Sequence, residues 1–120
     1  MKAVFALILC SLASCAGLSS SFPQSLVGEW RYADKTQACH YVFNRGGTFN
    51  GDVVYHGKTI SRFTGRWSVD RDVLLYTYIS DEFKRIPAGA TDRDKLLNVA
   101  PEFFIIEAAD GSKRRYLRVR

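Results

Sequence analysis

The chain has 120 residues, of which 47% are hydrophobic and 13% aromatic, and its formal net charge is +5. This length favours one domain, and the apolar content suffices for one core, so the composition excludes a globally disordered chain. The mildly basic charge does not by itself indicate nucleic-acid binding, and we expect no nucleic-acid partner.

Residues 1–14 have the layout of a secretory signal peptide. One charge, Lys2, precedes an apolar run over residues 3–12, and small residues follow. The run is too short to cross a bilayer as a helix, which takes about 20 residues, and it has no polar face for a buried helix. We therefore expect export, with residues 15–22 as a short polar tether and residues 23–120 as the folded domain.

The four residues Leu12-Ala13-Ser14-Cys15 resemble the lipobox of bacterial lipoproteins. The resemblance implies cleavage before Cys15, diacylglycerol on its sulfur and a fatty acid such as palmitate on the new amine, which together anchor the protein in a membrane. For a Gram-negative source, Ala16 implies the outer membrane, facing the periplasm. The alternative is plain secretion, with signal peptidase cutting after Ala16.

Only one cysteine stays available in the mature chain. Cys10 leaves with the signal peptide and Cys15 carries the lipid, so Cys39 has no internal disulfide partner. Its apolar, strand-like surroundings favour a buried, inert thiol over one that pairs with a partner. The loss of Lys2 lowers the formal charge to +4, from 16 basic and 12 acidic residues.

From residue 26 onward the pattern predicts β-strands separated by turns. The strand-like segments are "LVGEWRY", "ACHYVF", "TFNGDVVY", "TISRFTGRWSV", "VLLYTYIS", "EFFIIEAA" and "RRYLRV". Phe63, Gly65 and Trp67 alternate with polar residues, which puts them on one buried face. Asn44, followed closely by two glycines, marks a hairpin.

Residues 81–100 break this pattern. Pro87 and Gly89 indicate a loop, and Thr91 followed by Asp94 resembles a capping box. We expect one short helix over residues 91–98, ended before Pro101. Outside residues 81–100, the pattern gives seven or eight antiparallel strands with a turn roughly every ten residues, which predicts an all-β barrel or sandwich.

Three motifs in order, "LVGEW", "FNRGGTF" and "FTGRWSVDRDVL", resemble the small bacterial lipocalin-like domains. The likeness covers most of residues 26–120, and it implies an up-and-down barrel closed at one end. It also implies that an arginine of the last strand covers Trp30, with Arg118 and Arg120 as the two candidates, by a cation–π contact of about 0.5–2 kcal/mol.

The repeated Gly-x-Trp pattern also has a physical interpretation. Gly28 and Gly65 point to the same side of their strands as Trp30 and Trp67, because the side-chain period is two. A missing side chain leaves room there for the ring or for a crossing chain. We expect these four residues to form the fold rather than to contact a ligand.

No catalytic constellation is evident, and we expect neither an enzyme nor a cofactor. His40 and His56 fall on different predicted strands without clustered cysteine or carboxylate ligands, so no metal site is predicted. The basic stretch "KRRYLRVR" is either the solvated face of an edge strand or a contact for anionic headgroups or an acidic partner. No specific protein partner is indicated.

Two functions remain open. The first is a membrane-anchored lipocalin-like lipoprotein that binds a small apolar or amphiphilic ligand; the second is a non-enzymatic envelope interaction or inhibitor protein with a filled barrel. An apolar cavity above about 300 Å³ supports the first, and a filled interior with an exposed apolar patch supports the second. The candidate ligand-lining residues are Phe43, Phe49, Phe63, Tyr76 and Phe104. The ligand is expected at the end opposite the tryptophans and near residues 81–100.

Overall fold

The computed structural model describes residues 20–21 and 23–120. The predicted signal peptide and the lipid attachment at Cys15 lie outside the described residues, as does most of the tether. The strands are β1 (Gly28–Ala33), β2 (Gln37–Phe43), β3 (Thr48–Tyr55), β4 (Lys58–Asp70), β5 (Val73–Asp81), β6 (Thr91–Val99), β7 (Phe103–Glu107) and β8 (Lys113–Arg118). A two-residue strand, Ser20–Ser21, pairs antiparallel with the end of β4.

The eight strands form a closed up-and-down barrel. Each strand pairs antiparallel with the next along the chain, and β8 returns to pair with β1. The closing seam is short, with Leu117 opposite Arg31 and Arg118 opposite Trp30. The predicted all-β barrel is confirmed with eight strands, and closure leaves none of these strands with a free edge.

The helix expected over residues 91–98 is wrong, because this segment is strand β6. It pairs with β5 on one side and β7 on the other, and Leu96 lies opposite Ile106. A helix here would leave two strand edges unpaired, and an N-cap contributes only about 1 kcal/mol. The helical element in residues 23–120 is one 3-10 turn, Gln24–Leu26. No helix in the described part of the chain is long and apolar enough to cross a membrane.

Alternation along the strands gives the barrel an aromatic interior. The large side chains that are almost fully buried there are Trp30, Phe43, Phe49, Phe63, Trp67, Tyr76, Phe104 and Tyr116. We call the end that holds both tryptophans and the 3-10 turn the closed end. We call the opposite end, with the turns at residues 34–36, 56–57 and 108–112 and the loop at residues 82–90, the mouth.

Candidate functional site

The closed end is plugged by Trp30 and covered by Arg118. The Trp30 Nε1–H donates to the Leu26 carbonyl oxygen at 2.9 Å. The Arg118 guanidinium carbon lies 4.2 Å from the centroid of the Trp30 ring. The same guanidinium donates to the carbonyl oxygens of Pro101, Val27 and Ser25 at 2.7, 3.0 and 3.0 Å. Arg118 thus ties the last strand to the N-terminal 3-10 turn and to the turn between β6 and β7, all at the closed end.

The register of β8 decides which arginine does this. Tyr116 lies opposite the buried Phe104, so Tyr116, Arg114 and Arg118 occupy the inner face, while Leu117 is 54% exposed on the outer face. Arg120 lies beyond the strand and pairs with Glu102 at the surface.

The two glycines of the Gly-x-Trp pairs make room for different neighbours. A Cβ on Gly28 would overlap the Arg118 guanidinium, and the φ of Gly28 is +134°. A Cβ on Gly65 would overlap the Thr77 carbonyl oxygen and would lie 2.7 Å from a Phe49 ring carbon. Neither glycine makes room for the tryptophan that follows it. Of the two alternatives from the sequence, room for the ring or room for a crossing chain, the second describes these sites, where the neighbour is another strand or its side chain.

The aromatic residues offered as ligand-lining pack against one another. Ring centroids lie 4.8 Å apart for Trp30 and Phe104, 4.9 Å for Phe43 and Trp67, and 5.5 Å for Phe49 and Tyr76. Each candidate is at most 2% exposed, so these residues fill the barrel rather than line an open space; they are Phe43, Phe49, Phe63, Tyr76 and Phe104. Cavities of about 310–420 Å³ among the described residues are lined mainly by turns and outward-facing side chains.

Towards the mouth the inner face becomes polar. Asp94 lies opposite Leu74 and Asp92 lies opposite Tyr76, so both carboxylates are on the inner face of β6. Arg114 lies opposite Ile106 on the inner face of β8. The inward-facing polar side chains of this mouth cluster are Tyr41, Tyr76, Tyr78, Asp92, Asp94, Arg114 and Tyr116.

The environment of Asp94 raises its pKa to about 6. Desolvation by burial is the largest cause, and the neighbouring Asp92 carboxylate adds to it, while the Tyr76 hydroxyl and Arg114 oppose it. The Tyr76 hydroxyl is buried beside Asp94 but makes no hydrogen bond of normal geometry within residues 23–120. A perturbed carboxyl next to an unsatisfied hydroxyl is a common feature of functional sites.

The tyrosines of the mouth cluster are held in their neutral form. Burial raises the pKa of Tyr41, Tyr76, Tyr78 and Tyr116, so their hydroxyls stay protonated near neutral pH and can donate hydrogen bonds. Tyr41 and Tyr116 stack with centroids 5.5 Å apart. Cys39 lies beside them, 3% exposed, and burial raises the pKa of its thiol, which makes it a poor nucleophile.

The loop at residues 82–90 lies over one side of the mouth and is held by Asp81. Both carboxylate oxygens of Asp81 accept hydrogen bonds: from the Ser61 hydroxyl at 2.8 Å, and from four backbone amides at 3.1 Å, those of Arg62, Phe83, Arg85 and Ile86. Desolvation opposes ionisation of Asp81, but these bonds outweigh it and lower its pKa. The loop thereby packs Ile86 and Ala90 against the core.

The histidines lie outside the barrel interior. His40 faces outward on β2, with its Nε2 at 2.5 Å from a Glu29 carboxylate oxygen and its Nδ1 at 3.8 Å from Asp52. His56 lies in the β3–β4 turn with a φ of 49°. Among the described residues, no three histidine, cysteine, aspartate or glutamate side chains are placed to hold a metal ion.

Sequence reasoning missed the mouth cluster and the Asp81 contacts. A signal for the cluster is present, because Asp92, Asp94 and Leu96 alternate with Arg93 and Lys95 as a strand requires. The Asp81 contacts join residues 19 and 20 positions apart as well as local ones, so no local pattern reveals them.

Comparison with known proteins supports the architecture. No family model matches the chain, and no curated protein matches it. Among solved structures, the chain is similar to the crystal structure of a lipocalin-like protein from Bacteroides uniformis ATCC 8492, with a TM-score of 0.59 and 15% sequence identity. The match covers 79% of this chain and 99% of that chain. The protein therefore has a lipocalin-like fold, as the ordered motifs predicted.

Proposed function

We propose that this protein is a non-enzymatic binding protein that takes up a small amphiphilic ligand at the mouth of its barrel. The observation that carries the proposal is the mouth cluster, in which the buried Tyr76 hydroxyl makes no hydrogen bond of normal geometry and lies beside the half-buried Asp94 carboxyl. The aromatic core below offers an apolar floor, and the carboxylates, guanidinium and hydroxyls above it offer polar contacts. This combination suits a molecule with an apolar body and one polar end.

Binding at this place requires the loop at residues 82–90 to move. The aromatic core leaves little free volume, and Ile86 packs against it at the mouth. The apolar part of the ligand takes the place of the Ile86 side chain, while the Asp81 contacts bring the loop back when the ligand leaves. A loop that acts as a lid over a shallow site is a common arrangement in binding proteins.

A fluorescent probe tests this site directly. N-phenyl-1-naphthylamine brightens when it leaves water, and we expect the wild type to bind it weakly. Ile86→Ala vacates apolar volume at the mouth, so this variant should bind the probe more tightly. Ile79→Ala removes the same atoms from an outward side chain that is 53% exposed, and it should bind like the wild type. Equal probe binding by the two variants would contradict a site at the mouth.

The filled interior favours a second candidate function, an envelope interaction protein or inhibitor. Its barrel would be only a scaffold, and the exposed apolar side chains at the mouth end, Tyr55, Ile79 and Phe83, would contact the partner. No probe response in the wild type or in Ile86→Ala would favour this alternative.

We further propose that the protein is exported and anchored through lipid on Cys15, in the outer membrane facing the periplasm if the source is Gram-negative. The support is the lipobox-like Leu12-Ala13-Ser14-Cys15 after a short apolar run. Cys15→Ser should move the protein from the membrane fraction to the soluble fraction of its host. Unchanged membrane association of this variant would refute the lipid anchor.

A further inference from the structure

We propose that a basic groove on the outer wall of the barrel binds the phosphate of an anionic phospholipid headgroup. The groove is a cavity of about 410 Å³ across β4, β5 and β6. Tyr76 and Asp92 of the mouth cluster also border it, but their side chains are on the inner face of the barrel. Its outward-facing side chains are Arg66, Ser68, Leu75, Thr77, Thr91 and Arg93.

The strand register arranges these side chains in two rows. Arg66, Thr77 and Thr91 form one row across the three strands, and Ser68, Leu75 and Arg93 form the next. The arginines therefore stand at opposite corners of the groove, on the two flanking strands. Leu75 and Thr77 of the middle strand form the floor between them.

The donors of this groove match a phosphate group. Two guanidinium groups and two hydroxyls surround the floor, and Thr77 offers a third hydroxyl from the floor itself. An arginine fork pairs well with phosphate oxygens. Leu75 offers an apolar contact for the carbon atoms next to the phosphate. Asp92 also borders the groove, but its side chain is on the inner face of β6, where it accepts a hydrogen bond from the Arg93 amide.

The charges of the groove are not neutralised within the described residues. Neither Arg66 nor Arg93 forms an ion pair among residues 23–120, whereas Arg62, the next arginine on the outer face of β4, pairs with Glu82 at 3.1 Å. The basic surface continues through Lys95 on β6 to Lys113 and Arg115 on β8, with Glu107 of β7 between them. A negatively charged bilayer surface complements such a wall.

The position of the N-terminal segment favours a membrane over a soluble phosphate. Ser20 pairs with Asp70, two positions along β4 from Ser68 in the groove. Cys15 lies five residues before Ser20, a length of chain that spans at most about 17 Å when fully extended. The choice of a membrane rests on the proposed lipid anchor, which would hold the groove side of the barrel at the bilayer. The match between the groove and a phosphate group does not depend on the anchor.

Vesicle binding by an anchor-free chain tests the groove separately from the anchor. A chain of residues 16–120 retains all eight strands and the 3-10 turn, which close the barrel on their own. It should co-sediment with vesicles of phosphatidylcholine containing phosphatidylglycerol and not with phosphatidylcholine alone. The double variant Arg66→Gln/Arg93→Gln should bind the anionic vesicles about 30-fold more weakly, since each basic residue near the surface contributes about fivefold.

The matched control removes the same charge at the mouth end. Lys35→Gln/Lys58→Gln alters two exposed lysines in or beside mouth turns, and it should retain most of the vesicle affinity. Arg66→Lys/Arg93→Lys keeps the charge and should recover part of the lost binding. Circular dichroism checks that each variant is folded, which is expected because the substituted side chains face outward.

Four results would overturn the proposal. The first is an equal loss of vesicle affinity in Arg66→Gln/Arg93→Gln and in the control Lys35→Gln/Lys58→Gln. The second is equal binding of the wild type to neutral and anionic vesicles, and the third is no binding of the wild type to anionic vesicles. The fourth is binding of glycerol phosphate without binding to vesicles. The last result would assign the groove to a soluble phosphate ester. None of these variants replaces Cys15 or a residue of the mouth cluster, so the results leave the proposed function to its own tests.

Discussion

At the scale of single residues, the packing at Gly65 leaves no space for a side chain. Gly65→Ala places a methyl group against the Thr77 carbonyl oxygen and the Phe49 ring. Backbone of a paired strand cannot move aside cheaply, so we expect a loss of about 2–3 kcal/mol in the free energy of unfolding. Gly46→Ala is the control, because a Cβ there meets nothing within 4 Å. Urea unfolding measures both, and similar stability of the two variants would refute this account of Gly65.

Arg118 and Arg120 should differ sharply in their contribution to stability. Arg118→Ala removes three hydrogen bonds to backbone carbonyls and the contact with Trp30, so a loss of about 2–4 kcal/mol is expected. Arg120→Ala removes one exposed ion pair with Glu102 and should cost less than about 1 kcal/mol. Thermal unfolding of both variants decides this, and a larger loss for Arg120→Ala would contradict the assignment.

Asp94 gives the protein a defined pH dependence. Its folded pKa of about 6 lies above the ordinary value of 3.8, so the unfolded chain ionises first as pH rises. The contribution of Asp94 to stability therefore falls between about pH 4 and pH 6 and then levels off. Asp94→Asn removes this penalty and should be more stable than the wild type by about 1–2 kcal/mol at pH 7.5, after allowance for partial exposure, and by little at pH 4. A difference that does not change with pH in urea unfolding would contradict the burial of Asp94.

Single-residue features differ in how far the sequence predicts them. The buried tryptophans and the interior aromatics follow from a period of two, which is a local property of the chain. Which of Arg118 and Arg120 covers Trp30 does not follow from a local pattern, because it depends on which face of β8 lies opposite Phe104. Burial of Asp94 depends on β5 and β7, which are neighbours in space rather than in the local motif.

At the scale of elements, β6 shows where local pattern and tertiary pairing disagree. Thr91 and Asp94 match a helix cap, yet the segment joins two strands that would otherwise end at open edges. The alternation of Asp94 and Leu96 with charged outward residues is the signal that agrees with the barrel. Strand pairing on both sides outweighs one capping motif in such a position.

The loop at residues 82–90 depends on both oxygens of Asp81. Asp81→Asn keeps the size of the side chain but replaces one acceptor by a donor, so about 2 kcal/mol of loop stability should be lost. Hydrogen exchange of the Arg85 and Ile86 amides should become faster. Asp110→Asn is the control, because Asp110 accepts from Ser112 through a single oxygen and Asn can replace it. Unchanged exchange in Asp81→Asn would show that other contacts hold the loop.

At the scale of the whole molecule, the barrel has two ends with different composition. The closed end is apolar, sealed by Arg118 and tied to the N-terminal turn, while the mouth carries buried ionisable groups under a held loop. The sequence predicts the barrel and its closed end from ordered motifs. It does not predict that the aromatic side chains fill the interior so completely, because that depends on how all eight strands place their inner faces.

Native mass spectrometry of the protein purified from its own host is the sharpest test for a small amphiphilic ligand at the mouth. We expect a population heavier than the mature chain by one small molecule, together with a weak fluorescence response to N-phenyl-1-naphthylamine. The mature mass alone, in a sample that also gives no fluorescence response to the probe, would contradict the claim and favour a filled, ligand-free barrel.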